Sequence, residues 1–287
     1  MDKVQRELIS KYIKIDKEPL NNYEYQLLVS KLKKINVPDN DMRKIVVNGT
    51  ISNSKMIVIS DTHYGLIYEN YKYIDLVFDY AAKNGINSIV HCGDFIQGSA
   101  TPQKQYYDMA KDRNLFSNKS LYDQAIIALE RYPMDDKITT YLLMGNHDYL
   151  LLRKYNDMYD FLSSRYDVKL LGLKKAYINW CNYLINFNHR IPKFNMHIPR
   201  VESNIRLYGH RHEFNYKEGN GTILLPTLSD DLKFYGDVNY PGFVVLSLED
   251  ENIDIKFYPI INNKVNCDCL SLKKSLCERT KVNWLYL

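Results

Sequence analysis

The chain is short of cysteine: five in 287 residues, an odd number, with no Cys-x-x-Cys pair. Cys92, Cys181, Cys267, Cys269 and Cys277 are scattered, which excludes a disulfide framework and a zinc ribbon and reads as reduced thiols. Long apolar runs are also missing. Met56–Ser60, Ile89–Cys92, Tyr141–Met144 and Gly242–Leu248 are the main ones, and none approaches the roughly 18–20 residues of a membrane span. The first seven residues, from Met1 to Glu7, mix charge signs and precede no apolar h-region, so a secretory signal is not expected. The expectation is a cytoplasmic protein with no membrane partner.

Charge of one sign is scarce as well. The net charge is +4, too small to demand a polyanionic partner. Residues 1–50 hold ten basic and seven acidic side chains, and residues 262–287 hold five and two. Each end is therefore +3 and the stretch between them −2, a basic periphery around a mildly acidic middle. What is present is ordinary folding material, with 45% hydrophobic and 25% charged residues. The core such a composition can bury needs no staple of disulfide or metal.

Hydrophobic spacing divides the chain into three parts. In residues 1–50, Val4, Leu8, Ile9 and Tyr12 share one helical face and Tyr25, Leu28, Val29 and Leu32 another, with Pro19 and Pro38 as punctuation. This predicts a small helical N-terminal appendage, closed by a turn at Asn48-Gly49-Thr50. Residues 51–261 read as the main domain, and 262–287 as a basic C-terminal tail. Within the domain, strands at Met56–Ile59, Ser88–Cys92, Ile138–Met144 and Val168–Leu171 alternate with helices at Tyr73–Ala82, Leu121–Leu129 and Tyr155–Ser163. Such alternation implies parallel βαβ units. Six strands follow: Ala176–Trp180, Tyr183–Asn188, Ile205–Tyr208, Thr222–Leu225, Phe243–Leu248 and Ile253–Tyr258. The expected fold class is α/β, with two sheets face to face and helices outside.

In open α/β sheets, ligands sit beyond the carboxyl ends of the strands. Those ends here carry Asp61-Thr62-His63, Gly93-Asp94, Gly145-Asn146-His147-Asp148, His189-Arg190 and Gly209-His210-Arg211-His212. Five of the seven histidines therefore follow a predicted strand. A single Asp or Asn there is a common turn or cap residue, but five clusters in the same register are a pattern. Nitrogen and oxygen donors without thiolate suit first-row divalent metals. One shared carboxylate can bridge two ions about 3.5–4 Å apart, which clamp the attacking and leaving oxygens of a phosphoryl displacement.

Taken in order, these motifs resemble those of the calcineurin-like metallophosphoesterases, and the match runs over residues 57–212. The resemblance implies a four-layer α/β/β/α sandwich of two mixed sheets. It implies two divalent ions, manganese first, with iron or zinc as alternatives. By position, Asp61, His63, Asp94 and His212 would hold one ion, and Asp94, Asn146, His189 and His210 the other, with Asp94 bridging. His147 would protonate the leaving oxygen or stabilise the transition state, and Asp148 would orient it.

The resemblance implies a phosphate-ester substrate. Serine/threonine phosphatases of the superfamily carry an Asp-Arg pair shortly after the Gly-Asp, and a Gly-Asn-His-Glu. This chain has Gly93-Asp94-Phe95-Ile96-Gln97-Gly98 and Gly145-Asn146-His147-Asp148, forms closer to nuclease-like members. The expected activity is hydrolysis of phosphodiester bonds in nucleotides or nucleic acid by a hydroxide activated between two metals. The alternatives are a broad phosphomonoesterase and a catalytically silent binding module on the same fold, as in the retromer subunit of the superfamily. No protein partner can be named. Arg190 and Arg211 adjoin ligands and are the candidates for gripping phosphate. His197 could touch substrate, His91 and Cys92 are expected to pack or support the site, and most of the 25 tyrosines to be core. The polar connection over residues 95–120 exceeds the usual length of about 12–15 residues and is the candidate lid.

Overall fold

In a computed structural model of the chain, the residues described are 47–65, 69–98, 120–149, 151, 158–190, 205–217, 221–230, 240–249, 252–266 and 270–275. The helices expected within residues 1–46 lie outside them.

The first strand, β1 (Gly49–Ile51), falls where a turn was expected. The side chain of Asn48 explains this, because it donates to Leu171 O, accepts from Tyr177 N and so holds the three residues parallel to the strand Lys175–Trp180. β2 (Lys55–Ile59) and β3 (Ser88–His91) are joined through helix α1 (Tyr71–Lys83). Helix α2 (Leu121–Arg131) leads into β4 (Thr139–Met144), and α3 (Met158–Ser163) into β5 (Val168–Leu173). Then come β6 (Lys175–Trp180), β7 (Tyr183–Asn188), β8 (Ile205–Tyr208), β9 (Asn215–Lys217) and β10 (Thr222–Leu224). β11 (Gly242–Glu249), β12 (Asn252–Ile261), β13 (Lys264–Val265) and β14 (Leu270–Ser275) complete the order.

The strands form two mixed sheets. One has the order β1-β6-β7-β8-β10-β9; the other runs β13-β12-β11-β2-β3-β4-β5, with β14 also on β12. In the second sheet β2, β3, β4 and β5 are parallel, as the βαβ reading requires, and β11 is antiparallel to β2. Two strands thus continue the sheet past residue 261, where the sequence reading began a tail; both pair antiparallel with β12.

Alternation along β2 shows how the layers form. Met56 and Val58 point to a core between the sheets with Val90, Leu143, Ile185, Phe187 and Val244. Ile57 and Ile59 point the other way, under the helices, with Ile74, Val77, Ala125, Leu129 and Leu162. Since side chains on a strand alternate faces, a strand buried on both faces reads as a continuous apolar run. Helix α1 starts at Asn70, whose side chain accepts from Lys72 N, and buries Tyr73, Ile74, Val77, Phe78 and Ala81 at helical spacing. Helix α2 opens with a capping box of Ser120 and Asp123. All three described helices pack on the β2-β3-β4 sheet. The α/β/β part of the expected sandwich is therefore built, while the outer face of the other sheet carries no helix among the described residues. No helix among them is long and apolar enough to cross a membrane.

Candidate metal centre

The parallel strands β2, β3 and β4 end on one side of their sheet, and β7 and β8, parallel in the other, end beside them. Backbone bonds stitch the loops together. Asp61 N donates to Gly93 O, His63 N to Asp94 O and Gly209 N to Asn188 O, at 3.0, 3.1 and 3.1 Å. Three overlapping groups result, each with ligand atoms within 4.8 Å of one another: Asp61–His63–His212, Asp94–His189–His210 and His63–Asp94–His147.

The two carboxylates are held alike. Asp61 Oδ2 accepts the His210 N–H and Asp94 Oδ1 the His147 N–H, both at 2.9 Å. The second oxygen of each is left facing the histidines. Asp61 Oδ1 lies 3.2 Å from His212 Nε2 and 3.6 Å from His63 Nε2. Asp94 Oδ2 lies 2.9 Å from His189 Nε2, 3.8 Å from His147 Nε2 and 4.0 Å from His63 Nε2. Burial alone would raise both carboxyls, but His212 beside Asp61 and His189 beside Asp94 hold them below the usual carboxylate range. Burial would likewise depress His189, and the Asp94 carboxylate overrides it, lifting the imidazole to about 9 in the metal-free chain. Burial, with the charge of His189, pushes His210 down to about 4.

These residues fit divalent cations. Asn146 Oδ1 is buried without a hydrogen-bond partner, an orphan that is rare unless something else binds it, while Asp61 Oδ1 and Asp94 Oδ2 face histidine nitrogens and leave a cluster of nitrogen and oxygen donors. His189 Nδ1 donates to Cys92 O at 2.9 Å, which leaves the Nε2 lone pair for a metal. Asp94 faces histidines of both groups, the position from which one carboxylate can bridge.

His147 keeps a proton on Nδ1 by donating to Gln97 O at 2.6 Å, so Nε2 faces the site. Burial lowers its proton affinity. Asp148, expected from the sequence to orient it, makes its hydrogen bonds to backbone N–H groups. Its carboxylate accepts Phe95 N, Ile96 N and Gly145 N at 3.1, 2.9 and 2.7 Å, so it binds the two motif loops to each other. Burial, then the charge of Asp94, raises Asp148 to about 6.

The approach of the loops demands glycine. A Cβ on Gly145 would stand 2.1 Å from Asp94 Oδ1, and one on Gly93, at φ +98°, would stand 2.7 Å from His189 Nδ1. Asp61, His63, Asp94, His210 and His212 themselves have positive φ, between 47° and 70°. That conformation disfavours side chains by about 1–2 kcal/mol per residue, and it clusters at functional sites.

The arginines are placed less centrally. Arg211 has a side chain 59% exposed, 3.7 Å from Glu213, and Arg190 is exposed, although its charge reaches His210. His197 and residues 99–119 of the expected lid lie outside the described residues. The start of that connection is clamped, because Gly98 N donates to Gln124 Oε1 and Gln124 Nε2 to Gly98 O. His91 supports the site: Gly93 N donates to Nδ1, so Nε2–H donates to Thr62 Oγ1, which donates to Phe95 O. Burial pushes His91 down to about 3, consistent with a neutral ring. The sequence reading missed Gln124, Thr62 and Thr227, whose hydroxyl donates to Asp61 O. Thr227 had a signal, since it follows a predicted strand as the motif residues do; Gln124 looked like any polar helix residue.

Among solved structures, the chain is similar to Vps29 complexed with zinc from Entamoeba histolytica: 14% identity, 76% of this chain and 98% of that one, TM-score 0.42. A predicted phosphoesterase from Streptococcus pneumoniae matches at 14% identity over 78% and 99%, TM-score 0.42. A cold-active protein-tyrosine phosphatase from a psychrophilic Shewanella matches at 14% over 83% and 84%, TM-score 0.34. No curated protein matches the sequence. The family model of the calcineurin-like phosphoesterases matches residues 54–257, from just before β2 into β12 and across every motif loop, and the chain belongs to that family.

Proposed function

We propose that this chain is a metal-dependent phosphodiesterase acting on nucleotides or nucleic acid. The observation that carries the reading lies just after Asp94. Where a phosphatase of this superfamily carries an Asp-Arg pair shortly after its Gly-Asp, this chain has Phe95-Ile96-Gln97-Gly98 with no cation; Phe95 and Ile96 are buried at 2% and 0% exposure, and their N–H groups serve Asp148. Arg211 is turned to Glu213. Among the described residues few cations are fixed near the motif loops, which suits the single negative charge of a diester better than the double charge of a monoester.

The ions would be held by Asp61, His63, Asp94 and His212 on one side, and by Asp94, Asn146, His189 and His210 on the other. When bound, divalent ions supply Lewis acidity and lower the pKa of water toward neutrality. The chain supplies the rest. Asp61 and Asp94, each fixed by a backbone N–H, present one oxygen in a set orientation. His189 is held in one tautomer by Cys92 O. His147, anchored through Gln97 O, holds Nε2 at the place where a leaving oxygen would take a proton. Asp148 fixes the spacing between His147 and Asp94. All seven ligand positions and His147 are intact, which supports catalysis over a silent binding role.

The test is an assay of manganese-loaded protein on bis-p-nitrophenyl phosphate, p-nitrophenyl phosphate, cyclic nucleotides and single-stranded DNA. Hydrolysis of the diesters above the monoester is expected. Hydrolysis of the monoester alone would replace the reading with a phosphatase. Silence on every substrate with two ions bound would replace it with a binding module.

A further inference from the structure

Four large apolar or aromatic side chains are exposed among the described residues: Met134, Tyr149, Tyr166 and Tyr240. Tyr166 is used locally, its hydroxyl donating to Asp136. Tyr149 differs in place. It follows His147-Asp148 directly, three residues after Asn146, and is 37% exposed. Its ring lies under an ammonium, with Lys174 Nζ 4.5 Å from the centroid.

Lys174 is itself unusual. It is the single residue between β5 and β6, where the chain crosses from one sheet to the other, and it makes the crossing at φ 63°. Its N–H donates to Met144 O at 2.7 Å, and its carbonyl accepts the His189 N–H at 2.9 Å. Met144 immediately precedes Gly145-Asn146. The backbone of Lys174 is therefore bonded on one side to the strand end bearing Asn146 and on the other to His189. Both are proposed ligands of the same ion. A cation and the aromatic ring it covers are thus carried by the Lys174 crossover and the loop after Asn146, the two segments that also bear or hold these ligands. Arg190 and Arg211 have no comparable anchoring.

We infer that Tyr149 and Lys174 form the subsite for the nucleoside end of the substrate, the base stacking on the Tyr149 ring and the Lys174 ammonium facing the phosphate. This rests on the phosphodiesterase reading and gives it a substrate class. A base offers a flat π-face to an aromatic ring whatever its sequence, and an ammonium above the ring adds a cation–π contact. An aliphatic ester offers nothing to the ring.

The test measures binding by calorimetry on manganese-loaded protein, with adenosine 5′-monophosphate and ribose 5-phosphate as probes that differ only in the base. The wild-type chain should prefer the nucleotide. Tyr149→Ala should lower that preference about tenfold or more, the range for one stacked base, with two ions still bound by metal analysis. Tyr149→Phe should restore it. Lys174→Met should weaken both probes alike and leave their ratio unchanged. No preference in the wild type, or a ratio unmoved by Tyr149→Ala, would overturn the subsite. The diesterase assay judges the functional reading separately: turnover of diesters with an unmoved ratio would sink the subsite alone, and no turnover with a shifted ratio would sink only the hydrolase.

Discussion

His189 makes metal binding depend on pH in a way that can be worked out beforehand. In the metal-free chain Asp94 lifts His189 to about 9 from an ordinary 6.5, so at pH 7 its imidazole is protonated. A cation needs that nitrogen neutral and must expel the proton. The gap of about two pH units makes binding at pH 7 about 100-fold weaker than above pH 9, or about 2.7 kcal/mol. The other partners in that group add no proton, because Asp94 is already ionised and His210, at about 4, is already neutral. The apparent affinity should therefore rise tenfold per pH unit from 7 to about 9 and then level off. The same proton acts on stability with a definite sign. A raised histidine stabilises the metal-free fold fully below pH 6.5, by at most about 3.4 kcal/mol, and that contribution disappears as pH rises through 9. Calorimetric titration of manganese into metal-free protein, in buffers of different protonation enthalpy, counts the protons released. Wild type should release one more than His189→Asn at pH 7. Equal release from the two proteins would refute the assignment of the shared charge to Asp94 and His189.

Two further outcomes separate roles within the site. His147→Ala should keep two bound ions, and if the residue is a general acid its kcat should fall about 10²–10⁴-fold on an ester with a poor leaving group and much less on a p-nitrophenyl ester. Loss of an ion, or equal slowing on both esters, would make His147 a ligand or a charge clamp instead. Asp148→Ala would strip the acceptor from three buried N–H groups, and at about 1–3 kcal/mol each the thermal unfolding midpoint should drop by many degrees in metal-free protein too. A variant of unchanged stability with reduced kcat would instead assign Asp148 to orienting His147.

The strand ends were legible because the chemistry needed there uses rare residue types in fixed register. Asp61, Asp94, Asn146, His189, His210 and His212 each follow an apolar strand run, and a strand run is the strongest local signal a sequence carries. What was not legible depends on contacts between distant segments. Gly49–Ile51 reads as a turn because it is short and contains glycine; it becomes a strand through the side chain of Asn48 and a partner over a hundred residues away. β13 and β14 looked like a tail because basic residues on an edge strand resemble a solvated segment. The partners of Asp148 were not legible because motif adjacency does not reveal which atoms a carboxylate meets, and here it accepts from three backbone N–H groups.

The five positive-φ residues at Asp61, His63, Asp94, His210 and His212 bear on how such a chain could change over generations. At ordinary positions a lost side chain is replaced most easily by alanine or a similar small residue. Here the backbone itself selects against every Cβ, and most strongly against β-branched ones. Once catalysis no longer mattered, the least disruptive replacements would be glycine and asparagine, and each glycine would ease the turn it occupies. A lineage that kept this sandwich but abandoned its chemistry should thus accumulate those two residues at the five positions while valine and isoleucine stay absent. The turns would outlast the ligands, and the pattern left behind would mark the former centre after every donor atom had gone.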